Sequence, residues 1–386
     1  MNPPQASAEG TYRPTVAIID LDALGHNLHQ ISSRLPEGIE LCAIVKADAY
    51  GHGAVPISRE LDTLGVNGFA VATVEEGIEL RTAGIRKPIL VMGASVHGMD
   101  EALDHALTPV IYSLHVADVV SQAARHRGHA VGVHIKLDTG MGRLGILPSE
   151  WRKHLRRFLN DPWLRVEGIL SHYSSAEKDP AFTALQLTRF KRALALAAQC
   201  GISGAQYHIA KSAGILAFPQ GHYDLVRPGI LLYGSYPDPS LRSRIEVRPV
   251  MNLRTQILHA KTVPKDTPIS YGQTFRTRKR SIIATLPIGY ADGYRRDLSN
   301  KGWVLVHGRR APVVGNVTMD LTMVDVTQIP GVKEGDEVIL FGAGREGLLP
   351  VDDLASCIGT IPYELLCGIS RRVPRVYLKG GKVCTW

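Results

Sequence analysis

Eight short apolar runs between residues 39 and 234 constrain this chain more than any other feature of its sequence. They are "IELCAIV" (39–45), "GFAVAT" (68–73), "KPILVMG" (87–93), "LTPVIYS" (107–113), "VGVHIKLD" (131–138), "LRVEGILSHY" (164–173), "QYHIAKSAG" (206–214) and "LVRPGILLYG" (225–234). Runs of this length, partly β-branched, read as strands covered on both faces. Helix-like segments such as "EEGIELRTAGI" and "FTALQLTRFKRALALAAQCG" lie between most of them. A further helix is expected in "DLDALGHNLHQISSRL", where Leu21, Leu24, Leu28, Ile31 and Leu35 share a face and Asp20 or Asp22 can cap the first turn. The alternation predicts an α/β fold, a (β/α)8 barrel of the TIM type over residues 16–244. A doubly wound open sheet alternates in the same way, so strand number alone leaves closure open.

Past residue 245 the rhythm changes. "RPVMNLRTQILHAKTV", "SIIATLPIGYADG", "GWVLVHGRRAPVVG", "LTMVDVTQI" and "DEVILFG" are strand-like and separated by turn residues, and "VDDLASCIG" is the only clear helix. A mostly β C-terminal domain over 245–386 is therefore expected. Residues 1–15 read as a polar leader that packs with that domain, since "MNPPQASAEGTYRP" lacks the basic head and apolar stretch of a signal peptide. A length of 386 residues allows two cores. The five cysteines are odd in number and form no CxxC pair, which points to reduced thiols in a cytoplasm. The net charge of +8 is dispersed; its densest cluster, "RTRKR" at 276–280, has no interleaved aromatics, which argues against nucleic acid. No segment is long and apolar enough for a membrane, and the histidines show no metal-ligand spacing.

In a barrel of this kind, reactive side chains stand at the C-terminal strand ends. Lys46 ends the first run, Lys136 and Asp138 the fifth, and His172 the sixth; "KSAG" (211–214) ends the seventh and "RPG" (227–229) opens the eighth. The fifth run leads into "GMGRLG" (140–145), a literal G-x-G-x-x-G. Dinucleotide binding would need an acidic residue at the end of the next strand, and Asp161 falls before that strand. The loop reads instead as a device that delivers Arg143, whose planar fork suits a carboxylate.

The segments "VKADAYGHG", "KLDTGMGRLG", "LVRPGILLYG", "LPIGYADGY", "VGNVTMD" and "TIPYELLCGISRRVPR" together resemble the signature segments of the alanine racemases, in the same order. The resemblance spans about residues 16–378. It implies a pyridoxal 5'-phosphate enzyme that interconverts L- and D-alanine by a two-base mechanism, and a homodimer with shared active sites. It also implies a part in making D-alanine as a peptidoglycan precursor. By the same resemblance Lys46 is the Schiff-base lysine and Tyr290 the opposing base from the partner subunit. Arg227 faces the pyridine nitrogen; Tyr50, Ser212, Gly229, Ile230 and Tyr363 hold the phosphate; His172 lines the cofactor site. Arg143 and Met319 contact the substrate carboxylate, and Lys136 is the lysine often carbamylated. Three positions depart from the family's pattern: Lys211 replaces a usual asparagine, Thr318 a frequent cysteine and Asn316 a frequent arginine. Alternatives of neighbouring chemistry are a racemase of broader range and a barrel-type amino-acid decarboxylase. A non-catalytic cofactor carrier is the alternative of another class, one that gives the second domain no purpose.

Overall fold

The computed structural model describes residues 12–93 and 96–384. The first 11 residues of the leader, for which packing on the C-terminal domain was expected, lie outside the described residues.

Strand β1 (Val16–Asp20) is followed by helix α1 (Leu21–Ser32), and then come β2 (Glu40–Ile44), β3 (Gly68–Val71), β4 (Ile89–Val91) and β5 (Thr108–Ile111). After these come β6 (Val131–Lys136), β7 (Leu164–Leu170), β8 (Gln206–His208) and β9 (Leu225–Val226). Each of the eight apolar runs contributes one strand, from β2 to β9, and these pair in parallel in the order β8-β7-β6-β5-β4-β3-β2-β9. Closure is visible just past β8, where Lys211 forms a parallel bridge with Arg227 and the Arg227 N–H donates to the Ala210 carbonyl at 3.0 Å. The open-sheet alternative is thereby removed.

The barrel interior has two unlike halves. Cys42, Ala70, Leu90 and Leu225 form a dry cluster, with Ile44 and Met92 packed on it. Across from them, β6, β8 and the loop after β9 bury His134, Lys136, His208 and Arg227. Small apolar residues fill one wall, and cations with neutral imidazoles line the other.

One expected boundary is displaced. The barrel was expected to begin at residue 16, but β1 pairs antiparallel with Met251–Gln256 and parallel with Arg375–Lys379, in the sheet of the second unit. An apolar run carries no record of its pairing partner, and these partners are more than two hundred residues away. The barrel layer starts with α1, whose cap is Asp20: its Oδ1 accepts the Ala23 N–H at 2.9 Å.

The second unit contains the main sheet, which also holds Trp303–Val306, Arg309–Pro312 and Glu337–Gly344, and a smaller sheet of His259–Val263, Ser281–Leu286 and Thr322–Asp325. Besides the expected helix (Val351–Cys357) it carries a second, Pro362–Gly368, which the sequence reading missed. That helix leans over the barrel mouth. Arg375 Nε donates to the Gly51 carbonyl at 3.1 Å and the Tyr377 hydroxyl to the His52 carbonyl at 3.1 Å, tying the C-terminal strand to the loop after β2. No helix among the described residues is long and apolar enough to cross a membrane.

Candidate active site

At the end of β2 the backbone turns left-handed. Ala47, Asp48, Ala49 and Tyr50 all have φ between 50° and 56°, a conformation that costs an L-residue roughly 1–2 kcal/mol each. Such a turn persists only where its surroundings over-determine it. The Asp48 carboxylate accepts the Ala54 N–H at 2.7 Å, and the Ala49 N–H donates to the Val45 carbonyl at 2.9 Å. Glu76, at the start of the helix after β3, accepts the N–H groups of Ala47 and Ala72, each at 2.7 Å. The result holds Lys46 at the rim of the barrel with its neighbours fixed.

Lys46 borders a cavity of ≈ 600 Å³ at the C-terminal ends of the barrel strands. Tyr50, Lys136, Arg143, His172, Ser212, Arg227, Gly229, Ile230 and Tyr363 line the same cavity. Its floor is Arg227, which is 2% exposed. One guanidinium nitrogen donates to His208 Nδ1 at 2.5 Å, the other to the Ser171 carbonyl at 2.7 Å. Since His208 Nδ1 accepts, its proton sits on Nε2, which donates to His134 Nδ1 at 2.8 Å. Gly168 of β7 makes this chain possible, because a side chain there would collide with the His134 ring. Burial, then the charge of Arg227, lowers His134 to about 4 and His208 well below the ordinary range. Burial also lowers Arg227, to about 10, which leaves it charged at neutral pH. The floor is therefore a cation wrapped in neutral partners.

One end of the cavity is rich in hydroxyls. The Gly229 N–H donates to Ser212 Oγ at 2.9 Å, and a Cβ at Gly229 would stand 2.6 Å from the Tyr50 hydroxyl. Glycine thus leaves room beside two hydroxyls. Tyr363 comes from the helix Pro362–Gly368, its ring centroid 5.8 Å from that of Tyr50. Burial raises both phenols well above their usual value, so they remain donors.

The other side is basic. Lys136 is 4% exposed, and burial, then Arg143 and Arg227, lower it to about 8. Asp138 has no part in the cavity: its carboxylate accepts the N–H groups of Gly140, Met141 and Gly142 at 2.8–3.1 Å. The glycine loop is wrapped around an aspartate, and so projects Arg143. Asp161 accepts from Arg157, Ser121 and the Trp163 N–H, far from any nucleotide role. His172 is neutral, lowered well below its ordinary value by burial and by Arg227, Lys211, Arg143 and Lys136.

Tyr290 and Met319 stand apart from this cavity. They share one surface of the second unit, 43% and 53% exposed, where the Tyr290 N–H donates to the Thr318 carbonyl and the Ala291 N–H to the Met319 carbonyl, each at 3.0 Å.

Family comparisons agree with this architecture. The alanine racemase N-terminal domain matches residues 19–237 and the alanine racemase C-terminal domain residues 250–377. The alanine racemase of Geobacter sulfurreducens is 45% identical over 372 residues, covering 95% of this chain and 97% of that one. The chain belongs to the alanine racemase family. A solved alanine racemase of Clostridium difficile 630 superposes with a TM-score of 0.91 at 38% identity, covering 97% of this chain and 98% of its own. One from Bacillus anthracis with bound L-Ala-P gives a TM-score of 0.90 at 35% identity, covering 97% of each.

In this racemase the three departures from the family pattern have visible partners. Lys211 lines the cavity and pairs with Glu177, its Nζ 3.0 Å from Oε2. Thr318 Oγ1 donates to the Leu321 carbonyl at 2.9 Å, and Asn316 Nδ2 to the Tyr271 carbonyl at 2.8 Å. Thr318 shapes its own loop, whereas Asn316 ties that loop to the segment at Tyr271.

Sequence reading missed His134, His208, Glu76, Glu177 and Cys367. A signal existed for His134, which lies two residues before Lys136 on β6 and so points to the same face. Cys367 is next to Tyr363 on the helix that was not foreseen, and lines the cavity. Glu76 was visible as the far end of a Thr73–Glu76 capping box, but nothing local shows its second bond to Ala47.

Proposed function

We propose that this racemase inverts alanine by a two-base reaction, with Lys46 and Tyr290 on opposite faces of the substrate and pyridoxal 5'-phosphate seated at the barrel mouth. The observation that carries this reading is the single cavity that gathers a strand-end lysine, a buried arginine floor and a cradle of hydroxyls around a glycine. The residues fit the cofactor. Tyr50, Tyr363, Ser212 and the backbone of Gly229 and Ile230 would hold its phosphate, in the space a Cβ at Gly229 would fill. The remaining lining cations, Lys46, Lys136, Arg143, Lys211 and Arg227, give the cavity a positive field suited to a phosphate and a carboxylate. When bound, the cofactor supplies the electron sink that makes the α-proton of an amino acid removable.

The chain's own residues then divide the work. Lys46 Nζ takes or returns the proton on the face that belongs to D-alanine, and the Tyr290 hydroxyl does so on the L face. Arg227, charged and held by neutral groups, would face the ring nitrogen of the bound cofactor and discourage its protonation, which would limit side reactions such as transamination. Neutral His172 supports the tyrosine, and Arg143 orients the substrate carboxylate with Met319 beside it. With Lys136 lowered to about 8, roughly a tenth is unprotonated at pH 7, far more than for an ordinary lysine. Such an amine can add carbon dioxide, and the resulting carbamate would fix the Arg143 guanidinium. The five free cysteines support a reducing, cytoplasmic setting.

The exposure of Tyr290 and Met319 supports a two-fold dimer in which each site receives Tyr290 of the partner subunit. Mixing Lys46→Ala with Tyr290→Phe under subunit exchange tests this. About half of randomly paired dimers are mixed, and each then has one intact site, so roughly a quarter of wild-type activity returns. Activity that stays at the level of the separate variants, with exchange verified by mass spectrometry, rules out the shared site.

A further inference from the structure

Tyr290 opens a short turn, Tyr290–Asp292, whose third residue is wholly buried: Asp292 is 0% exposed. Its carboxylate accepts the Gly289 N–H at 3.0 Å, on the backbone just before Tyr290. Arg13 grips the same carboxylate with both prongs, at 2.8 Å to Oδ1 and 2.9 Å to Oδ2, and also donates to the Pro287 carbonyl at 2.7 Å. Thr15 Oγ1 donates to that carbonyl too, at 2.8 Å. Arg372 approaches Asp292 Oδ1 to 3.5 Å while holding Asp320, the neighbour of Met319, at 2.7 Å. Burial alone would raise the Asp292 carboxyl; hydrogen bonds from Arg13 and Gly289 and the charges of Arg13 and Arg372 outweigh it and hold it below its ordinary value.

We propose that Arg13 is a positioning residue for Tyr290: by clamping Asp292 and Pro287 it sets the turn that aims the Tyr290 hydroxyl at the substrate. The proposal rests on Tyr290 being the second base. Without the Arg13 fork the buried carboxylate must find water or other donors. The turn that encloses it then opens, and Tyr290 and Met319 shift together because their backbones share one set of hydrogen bonds. Lys46 stands on a separate turn with its own partners, Glu76 and the Val45 carbonyl. Loss of Arg13 therefore weakens one face of the reaction and spares the other.

The test uses holoenzyme in deuterated water, with α-proton exchange of L-alanine and of D-alanine measured separately and cofactor absorption recorded. Arg13→Gln should slow exchange from L-alanine by about tenfold or more, the scale of a small misplacement, and from D-alanine by less than about twofold. Arg13→Lys, which keeps the charge and loses the fork, should show the same one-sided loss at smaller size. Equal slowing of both exchanges, or wild-type rates for both, overturns the proposal. Should Arg13→Gln not fold, Arg13→Lys decides by the same criterion. Tyr290→Phe runs in parallel to separate the two readings. If it is one-sided and Arg13→Gln is not, the positioning role alone falls. If Tyr290→Phe slows both exchanges equally, the base assignment falls and this proposal with it.

Discussion

Lys46 and Tyr290 each begin a tight turn pinned by a carboxylate, but the two turns are built on different physics. The Lys46 turn consists of left-handed residues held by many short backbone bonds and by Glu76, a half-buried carboxylate that bridges Ala47 and Ala72. The Tyr290 turn has no run of strained residues; it encloses one fully buried carboxylate shared by two arginines. The first spreads its restraint over the barrel and the C-terminal strand. The second concentrates it in one carboxylate and the two arginines that reach it from far along the chain. Distributed restraint degrades gradually when one bond is lost, whereas a buried charge fails as a unit.

Three substitutions sharpen this contrast, in descending size. Lys46→Ala would remove the proposed base and the proposed covalent anchor together. Racemisation should fall by about 10²–10⁴-fold or more, and borohydride should no longer fix pyridoxal phosphate to the peptide "AIVKADAY". Labelling that persists on another lysine, Lys211 above all, would reassign the anchor. Next, Asp292→Ala should cost about 1–3 kcal/mol of stability, because the Gly289 N–H and the Arg13 fork lose their charged acceptor while both arginines keep access to water; denaturant titration of the holoenzyme reads this out. The pH dependence carries a sign. The folded carboxyl is depressed, so its contribution is full above the unfolded value of about 4 and is lost as pH falls through the folded value. The gap between wild type and variant should close in acid and stay open at neutral pH. The smallest effect belongs to Glu76→Gln, which keeps one acceptor and drops the charge. Cofactor affinity should weaken by only about two- to tenfold, the worth of one hydrogen bond. A loss as large as that of Lys46→Ala would show that the left-handed turn is not redundantly held.

How much of this could be read in the sequence depended on range. The strands of the barrel were legible because each apolar run is its own evidence, and the strand ends announced Lys46, Lys136 and His172, while Arg227 entered through the family resemblance. Closure was not legible, since it rests on a few backbone bonds across the β8–β9 seam, at Tyr207–Asp224, Ala210–Arg227 and the Lys211–Arg227 bridge. Nor was the allegiance of Val16–Asp20, whose partners are the strands at 251–256 and 375–379. Asp138 looked like a site residue and proved to be the core of a glycine loop, because a carboxylate facing three amides has the same sequence signature as one facing a ligand. Arg13 lay in a leader with no recognisable pattern. Its importance rests on a contact 279 positions along the chain.

The Arg227–His208–His134 chain has a consequence for how the enzyme meets changes in acidity. An arginine that stays charged up to about 10 and imidazoles that stay neutral down to about 4 or below give a floor with one fixed charge across the whole range in which cells live. Other residue choices at this position, such as a carboxylate or a solvent-facing histidine, would make the charge of the floor drift with the medium. Here it is constant by composition. Groups outside the Arg227–His208–His134 chain, such as buried Lys136, lowered to about 8, are the ones placed to bend activity near neutrality.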